Sequence, residues 1–138
     1  MGLSIYASQA LLNAFMGKTS NFGTLSGRPT LYFAFSTADP GEDGSGAAEP
    51  SGNGYARVAT APADWADATN ADPSVVTNVN NITFPNPTGP WGSCTHGAVY
   101  DAASGGNFVA GGPLAQAIAP DAPTPPVIAA GQASLSLD

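Results

Sequence analysis

Catalysis needs ionisable or nucleophilic groups held together, and the first pair to test is Cys94 and His96, the only cysteine and the only histidine of the chain. They lie two residues apart in a predicted strand, so their side chains share a face and stand side by side. A Cys–His nucleophile needs the imidazole to take the thiol proton while a third group orients the ring. The spacing supplies no such line and no orienting partner, so a structural or interface histidine is the preferred reading. A zinc site needs three or four soft ligands, and one Cys with one His falls short within a single chain. Asp39, Glu42, Asp43 and Glu49 offer oxygen ligands of the kind calcium takes, but their spacing is not that of an EF-hand and a solvated acidic loop explains them better. The glycine cluster Gly41-Glu42-Asp43-Gly44-Ser45-Gly46 does not open a helix, which a phosphate cradle requires. Asp64 and Asp67 are the carboxylates available to a hydrolase, in an Ala-rich run with no predicted element to aim them. There is no Gly-x-Ser-x-Gly elbow, and Asn81-Ile82-Thr83 matches a glycosylation acceptor only by chance in a chain that is not secreted. The expectation is therefore a non-enzyme with no catalytic residues, no cofactor and no metal.

The elements that would position any site read as mainly β. Residues 4–16 form the one helix candidate, with Ser4 as its cap and Gly17 at its stop. Residues 30–36 alternate as a strand, Leu31, Phe33 and Phe35 on one side and Tyr32 and Ala34 on the other. Residues 40–54 read as an exposed, acidic, Gly-rich loop, followed by a strand over 55–60. The Ala/Asp stretch 61–73 reads as weakly structured and contains Trp65. Residues 74–79 carry Val75 and Val76, and Asn78, Asn80 and Asn81 read as a turn or irregular strand; a short strand is predicted over 82–84. Residues 91–100 form another strand, 101–106 a hairpin connection, and 107–110 the return, broken by Gly111-Gly112-Pro113. The Pro-rich segment 119–126 is extended. A last half-buried strand alternates Ala133, Leu135 and Leu137 with Ser134 and Ser136. Six or seven short strands with frequent turn signals predict an antiparallel β-sandwich or small barrel with one N-terminal α-helix, in a single domain over 1–138.

Composition narrows the partners. Of 138 residues 43% are hydrophobic, near the globular norm, but only 9% are charged, with 17 Gly and 13 Pro. So neutral a surface suits burial against neighbours. The net charge is −7 and Lys18, Arg28 and Arg57 are the only cations, which argues against nucleic acid and against anionic membranes. A lone cysteine forms no internal disulfide. Lys18 follows the first apolar stretch instead of preceding it, unlike a secretory signal. Tyr6 stands where a myristoylation pattern wants Ser or Thr, and no apolar run reaches the length of a membrane span. A soluble protein made in a cytoplasm is the simplest expectation.

Five segments carry a resemblance. Leu31-Tyr32-Phe33-Ala34-Phe35-Ser36-Thr37-Ala38-Asp39-Pro40 resembles the "YLALFTADP" stretch of a widespread family of small phage structural proteins. Glu49 to Val58 looks like that family's "EVSGGGYARV". Ile82-Thr83-Phe84-Pro85 with Trp91-Gly92-Ser93-Cys94-Thr95-His96 is similar to "ITFP…WGTVTHF", and Val99 to Asn107 to "IFDAATGGN". Gly131 to Asp138 resembles the family's closing strand. The set spans most of the chain in order, and the chain departs from the pattern in 119–126. The resemblance implies a virion protein without catalytic residues, of a kind labelled tail-fibre-like, minor virion or head decoration protein.

The expectation built on both readings is a capsid decoration (cement) protein that bridges capsomers, made in the host cytoplasm. Its expected partners are the major capsid protein and copies of itself, as a homotrimer at threefold positions. The alternative is a tail or tail-fibre component, with tail proteins as partners, that attaches to a host surface. The expected contact residues are Leu11, Leu12, Phe15 and Met16 on the helix, and Trp65 as an anchor in the Ala/Asp stretch.

Overall fold

The architecture was determined as a computed structural model that describes residues 1–23 and 25–137. Its elements are helix α1 (Ile5–Phe15) and strands β1 (Leu31–Ser36), β2 (Val58–Thr60), β3 (Ser74–Thr77), β4 (Ile82–Thr83), β5 (Cys94–Tyr100), β6 (Phe108–Ile118), β7 (Val127–Ile128) and β8 (Ser134–Leu137), with one 3-10 turn at Pro62–Asp64. The protein is mainly β, every described strand pairing is antiparallel, and the single helix is N-terminal, as the sequence predicts. The chain forms two compact units, neither contiguous in sequence: Met1–Arg28 with Ala61–Asn81 and Ala129–Asp138, and Pro29–Thr60 with Ile82–Ile128.

In the first unit, α1 begins at Ser4, whose hydroxyl accepts the Ala7 N–H at 3.2 Å. It ends at Gly17, which takes φ +73° as a left-handed stop. The helix packs on the β3–β8 ribbon, in which Val76 lies opposite Leu135. Asn78 is the hub of the unit. Its amide group donates to the carbonyls of Asn80 (2.9 Å) and Ala129 (3.0 Å), and its oxygen accepts the Ala133 N–H (2.9 Å). Trp65 bridges to Asn78 and is fully buried. It is thus a core residue and not the exposed anchor expected from its surroundings. Leu12 and Met16 are likewise buried, because the helix turns them toward the core. Leu11 stays exposed and Phe15 is half-buried.

The second unit is built on a four-stranded sheet in the order β2-β1-β5-β6. The sheet has two free edges and so is not closed into a barrel. One face carries Phe33 and Phe35 against Phe84, which stacks on Phe35 at 4.3 Å between ring centres. Phe84 follows β4, which pairs with β7, so a small second layer covers this face in a sandwich-like manner. On the other face Ala34, Ala98 and Tyr100 pack with Phe108.

Two predicted features take a different form here. The loop 40–54 is not wholly solvated: Pro40 and Pro50 are buried, and Gly44 lies so close to Phe108 that a Cβ there would meet its ring at 2.5 Å. The loop also completes β1. Past the end of β2, the Phe35 N–H donates to the Tyr55 hydroxyl (3.2 Å) and the Thr37 N–H to the Ala48 carbonyl (2.9 Å). The other difference is β6, which runs through Gly111-Gly112-Pro113 instead of breaking there. As an edge strand it tolerates a residue without an N–H, and a register shift against β5 absorbs the irregularity.

Candidate functional site

The residues that the sequence offers for chemistry are occupied with structure. The Cys94 thiol is fully buried, and burial pushes its pKa up to about 11, so it is a protonated thiol and no nucleophile near neutrality. The His96 ring bonds the neighbouring Thr95 hydroxyl at 2.8 Å and stands 3.9 Å from the Asp39 carboxylate. Asp39 and Asp43 turn their oxygens back onto loop N–H groups, at Gly41 (2.9 Å) and Ser45 (3.0 Å). Asp64 accepts the Ala61 N–H at 2.8 Å and the Asn80 amide at 3.0 Å, and these bonds hold its carboxyl below its usual range. Asp67 is exposed on the same segment. Among the described residues no group of three or more His, Cys, Asp or Glu side chains is placed to hold a metal ion.

One charged cluster is built into the second unit. Arg57 makes a two-pronged pair with Glu49 through Nε and Nη2, and donates from Nη1 to the carbonyls of Ala102 and Gly105, both at 2.8 Å. Its guanidinium lies 3.7 Å over the Tyr100 ring. Glu49 also accepts the Tyr55 hydroxyl at 2.8 Å. Burial and the adjacent Glu49 carboxylate together push the Tyr55 phenol far above its ordinary value, and the pairing raises Arg57 further. All three guanidinium nitrogens are engaged by protein acceptors, so the cluster is a clamp that fastens the loop 40–54 and the hairpin 101–107 to the sheet. In that hairpin Asp101 takes two bonds from Asn107, and Gly106, at φ +73°, admits no Cβ because Asp101 Oδ1 would lie 2.5 Å away.

The first unit also presents apolar surface to a partner. Leu3, Ile5, Tyr6, Leu11, Phe22 and Leu25, all in the first unit, are 41–53% exposed. Tyr6 and Phe22 meet edge to face at 5.7 Å between ring centres. The helix meanwhile turns polar groups inward: Asn13 accepts the Ala68 N–H at 2.7 Å and Gln9 donates to the Ala68 carbonyl at 3.0 Å. A large exposed apolar set beside inward polar side chains is the pattern of a surface that meets another molecule. Of the five contact residues expected from the sequence, only Leu11 lies in this exposed set. Leu3, Ile5, Tyr6, Phe22 and Leu25 were not among them. The signal for Leu3, Ile5 and Tyr6 in the sequence is the lack of any charged side chain before Lys18, while Phe22 and Leu25 lie beyond it.

The family model described as Podophage GP4 fiber I protein gp80 matches residues 2–136. The chain belongs to this family. No curated protein matches it. Membership in the gp80 family makes the chain a structural protein of a phage particle, in keeping with the use to which its carboxylates, thiol and imidazole are put. The fibre named in the family description accords with the tail-fibre alternative better than with capsid decoration. No helix of the described residues is long and apolar enough to cross a membrane.

Proposed function

We propose that this chain is a non-enzymatic building block of a podophage fibre, joined to other tail proteins through apolar surface. The observation that carries the reading is the fibre-protein family match over residues 2–136. The arrangement of side chains agrees with it: Cys94 is buried, Asp39 and Asp43 cap their own turns and each guanidinium nitrogen of Arg57 meets an internal acceptor, so the exposed apolar side chains of the first unit are the leading contact surface. A structural subunit needs buried contact area and rigid loops more than a reactive centre. The clamp at Arg57 supplies the rigidity, and the exposed side chains of the first unit supply the contact. Fibre placement takes the position that capsid decoration held as the leading expectation. Gold-labelled antibody raised against the purified chain, applied to intact virions, is expected to mark the tail. Label spread over the head surface would return the reading to decoration.

A further inference from the structure

The outward side of α1 carries a pattern that specifies its own partner. Ser4, Ala7, Leu11 and Phe15 follow one another at spacings of three, four and four residues, which sets them in a line along the helix. Leu11 at the middle is 41% exposed, Ala7 and Phe15 on either side are half-buried, and the core-facing positions are Ala10, Leu12, Ala14 and Met16. Small, medium and large side chains thus follow in order along one stripe. If a second such stripe is laid against it in the opposite direction, with Leu11 on Leu11, each Phe15 faces an Ala7. The large side chain then fills the gap that the small one leaves.

Charge and area lead to the same partner. The chain carries −7, so two copies repel over much of their surface, yet no side chain from residue 1 to residue 17 is charged. Leu3, Ile5, Tyr6, Phe22 and Leu25, 46–53% exposed, extend the uncharged apolar area beyond the Leu11 stripe. We infer that α1 is the interface of a homodimer in which two copies of this chain pack antiparallel about a twofold axis at Leu11. Such a contact is isologous and closes on itself. A contact centred on so narrow a stripe is expected to hold only in the micromolar range. The inference rests on the helix surface and not on where the chain sits in the particle.

Sedimentation of the purified full chain between about 1 and 200 µM is expected to show a monomer–dimer equilibrium. Leu11→Glu sets two carboxylates against each other on the axis and is expected to weaken the dimer about a hundredfold, while Val127→Glu, in the other unit, leaves it unchanged. Circular dichroism checks that each variant is folded. Cross-linking provides a second readout in a Cys94→Ser background. Leu11→Cys is expected to form a disulfide-linked dimer on mild oxidation. Ala7→Cys is not, since antiparallel pairing holds the two positions about 12 Å apart along the axis. A wild-type chain that stays monomeric throughout overturns the inference and gives the face to a partner of different sequence. Efficient linkage through Ala7→Cys overturns the antiparallel arrangement.

Discussion

Replacing Arg57 by Ala tests whether the charged cluster is a clamp or a decoration of the surface. The Arg57 side chain is 7% exposed and its Glu49 partner 23%. Breaking a buried pair by removing one member costs about 3–5 kcal/mol, because the other charge is left without compensation. Here the figure falls near the bottom of that range, since Glu49 keeps some access to water and retains the Tyr55 hydroxyl. The cation–π contact with Tyr100 adds about 1 kcal/mol. The Ala102 and Gly105 carbonyls lie in an exposed turn and rehydrate at little cost. The total is about 4 kcal/mol, a large share of the roughly 5–15 kcal/mol of a whole domain, or a midpoint shift of about 2 M urea. The two tryptophans make the assay selective: Trp65 lies in the first unit and Trp91 in the second, both buried. In a Trp65→Phe background, urea unfolding followed by Trp91 fluorescence is expected to show the full loss. A double-mutant cycle with Glu49→Gln should return a coupling of about 2 kcal/mol. If Arg57→Ala lies within about 0.5 kcal/mol of the parent chain, or the coupling is near zero, the pair is an ordinary surface ion pair and the clamp argument fails.

Three further outcomes are expected. Asn78→Ala removes three hydrogen bonds from a residue 2% exposed and leaves the Asn80 carbonyl and the Ala133 N–H unpaired, while the Ala129 carbonyl keeps the Gln132 N–H, so the first unit should lose about 2 kcal/mol, read through Trp65 in a Trp91→Phe background. The Cys94 thiol, buried and raised to about 11, should not react with a disulfide reagent at pH 8 until denaturant is added, and fast reaction of the native chain would contradict its placement. Asp101 and Asp64 are both held below their usual value of 3.8, Asp101 chiefly by Asn107 and Asp64 chiefly by the Ala61 N–H. Each therefore stabilises the fold fully above that value and loses its contribution as pH falls through the lowered one. Stability measured from pH 6 to pH 2 should decline below about pH 4, and Asp101→Asn should flatten part of the decline.

The elements legible in the sequence are those whose cause is local. Ser4 and Gly17 mark α1 because capping is settled within one turn, and alternation from Leu31 to Phe35 marks β1 because the core lies on one side of it. Features caused by distant partners were not legible. Glu49 reads as a solvated loop acid from its neighbours, and only the fold shows that Arg57, Tyr55 and Tyr100 converge on it or beside it. The same convergence explains why the strand expected over 55–60 begins only at Val58: Tyr55 serves the free edge of β1 in place of a backbone group. Asn78 reads as a turn residue, since nothing in its surroundings reveals that Ala129 and Ala133 return to it. Trp65 reads as a surface anchor because its segment is poor in apolar residues, yet it forms a bridge with Asn78 and is fully buried. On the helix, the apolar cluster Leu11, Leu12, Phe15 and Met16 points to a contact, while the division into inner Leu12 and Met16 and outer Leu11 requires the docking of α1 on the β3–β8 ribbon.

The scarcity of charge has a consequence for how this protein meets its partners. Of its three cations, Arg57 is fastened to Glu49, and Arg28 donates to the Phe15 carbonyl at the end of α1, where burial lowers its pKa. Neither is presented for recognition of an acidic partner. Association through the outer side of α1 therefore depends on apolar area and the fit of Ala7 to Phe15, with little electrostatic steering. Such an interface responds to salt in the opposite sense to an ion-paired one. Screening removes the repulsion between two chains of −7, and an excluded salt such as sulfate strengthens apolar burial. The dimer should accordingly tighten as sodium sulfate is raised from low concentration to about 0.5 M. Loosening over that range would mean that charges dominate the contact, and would argue against α1 as its centre.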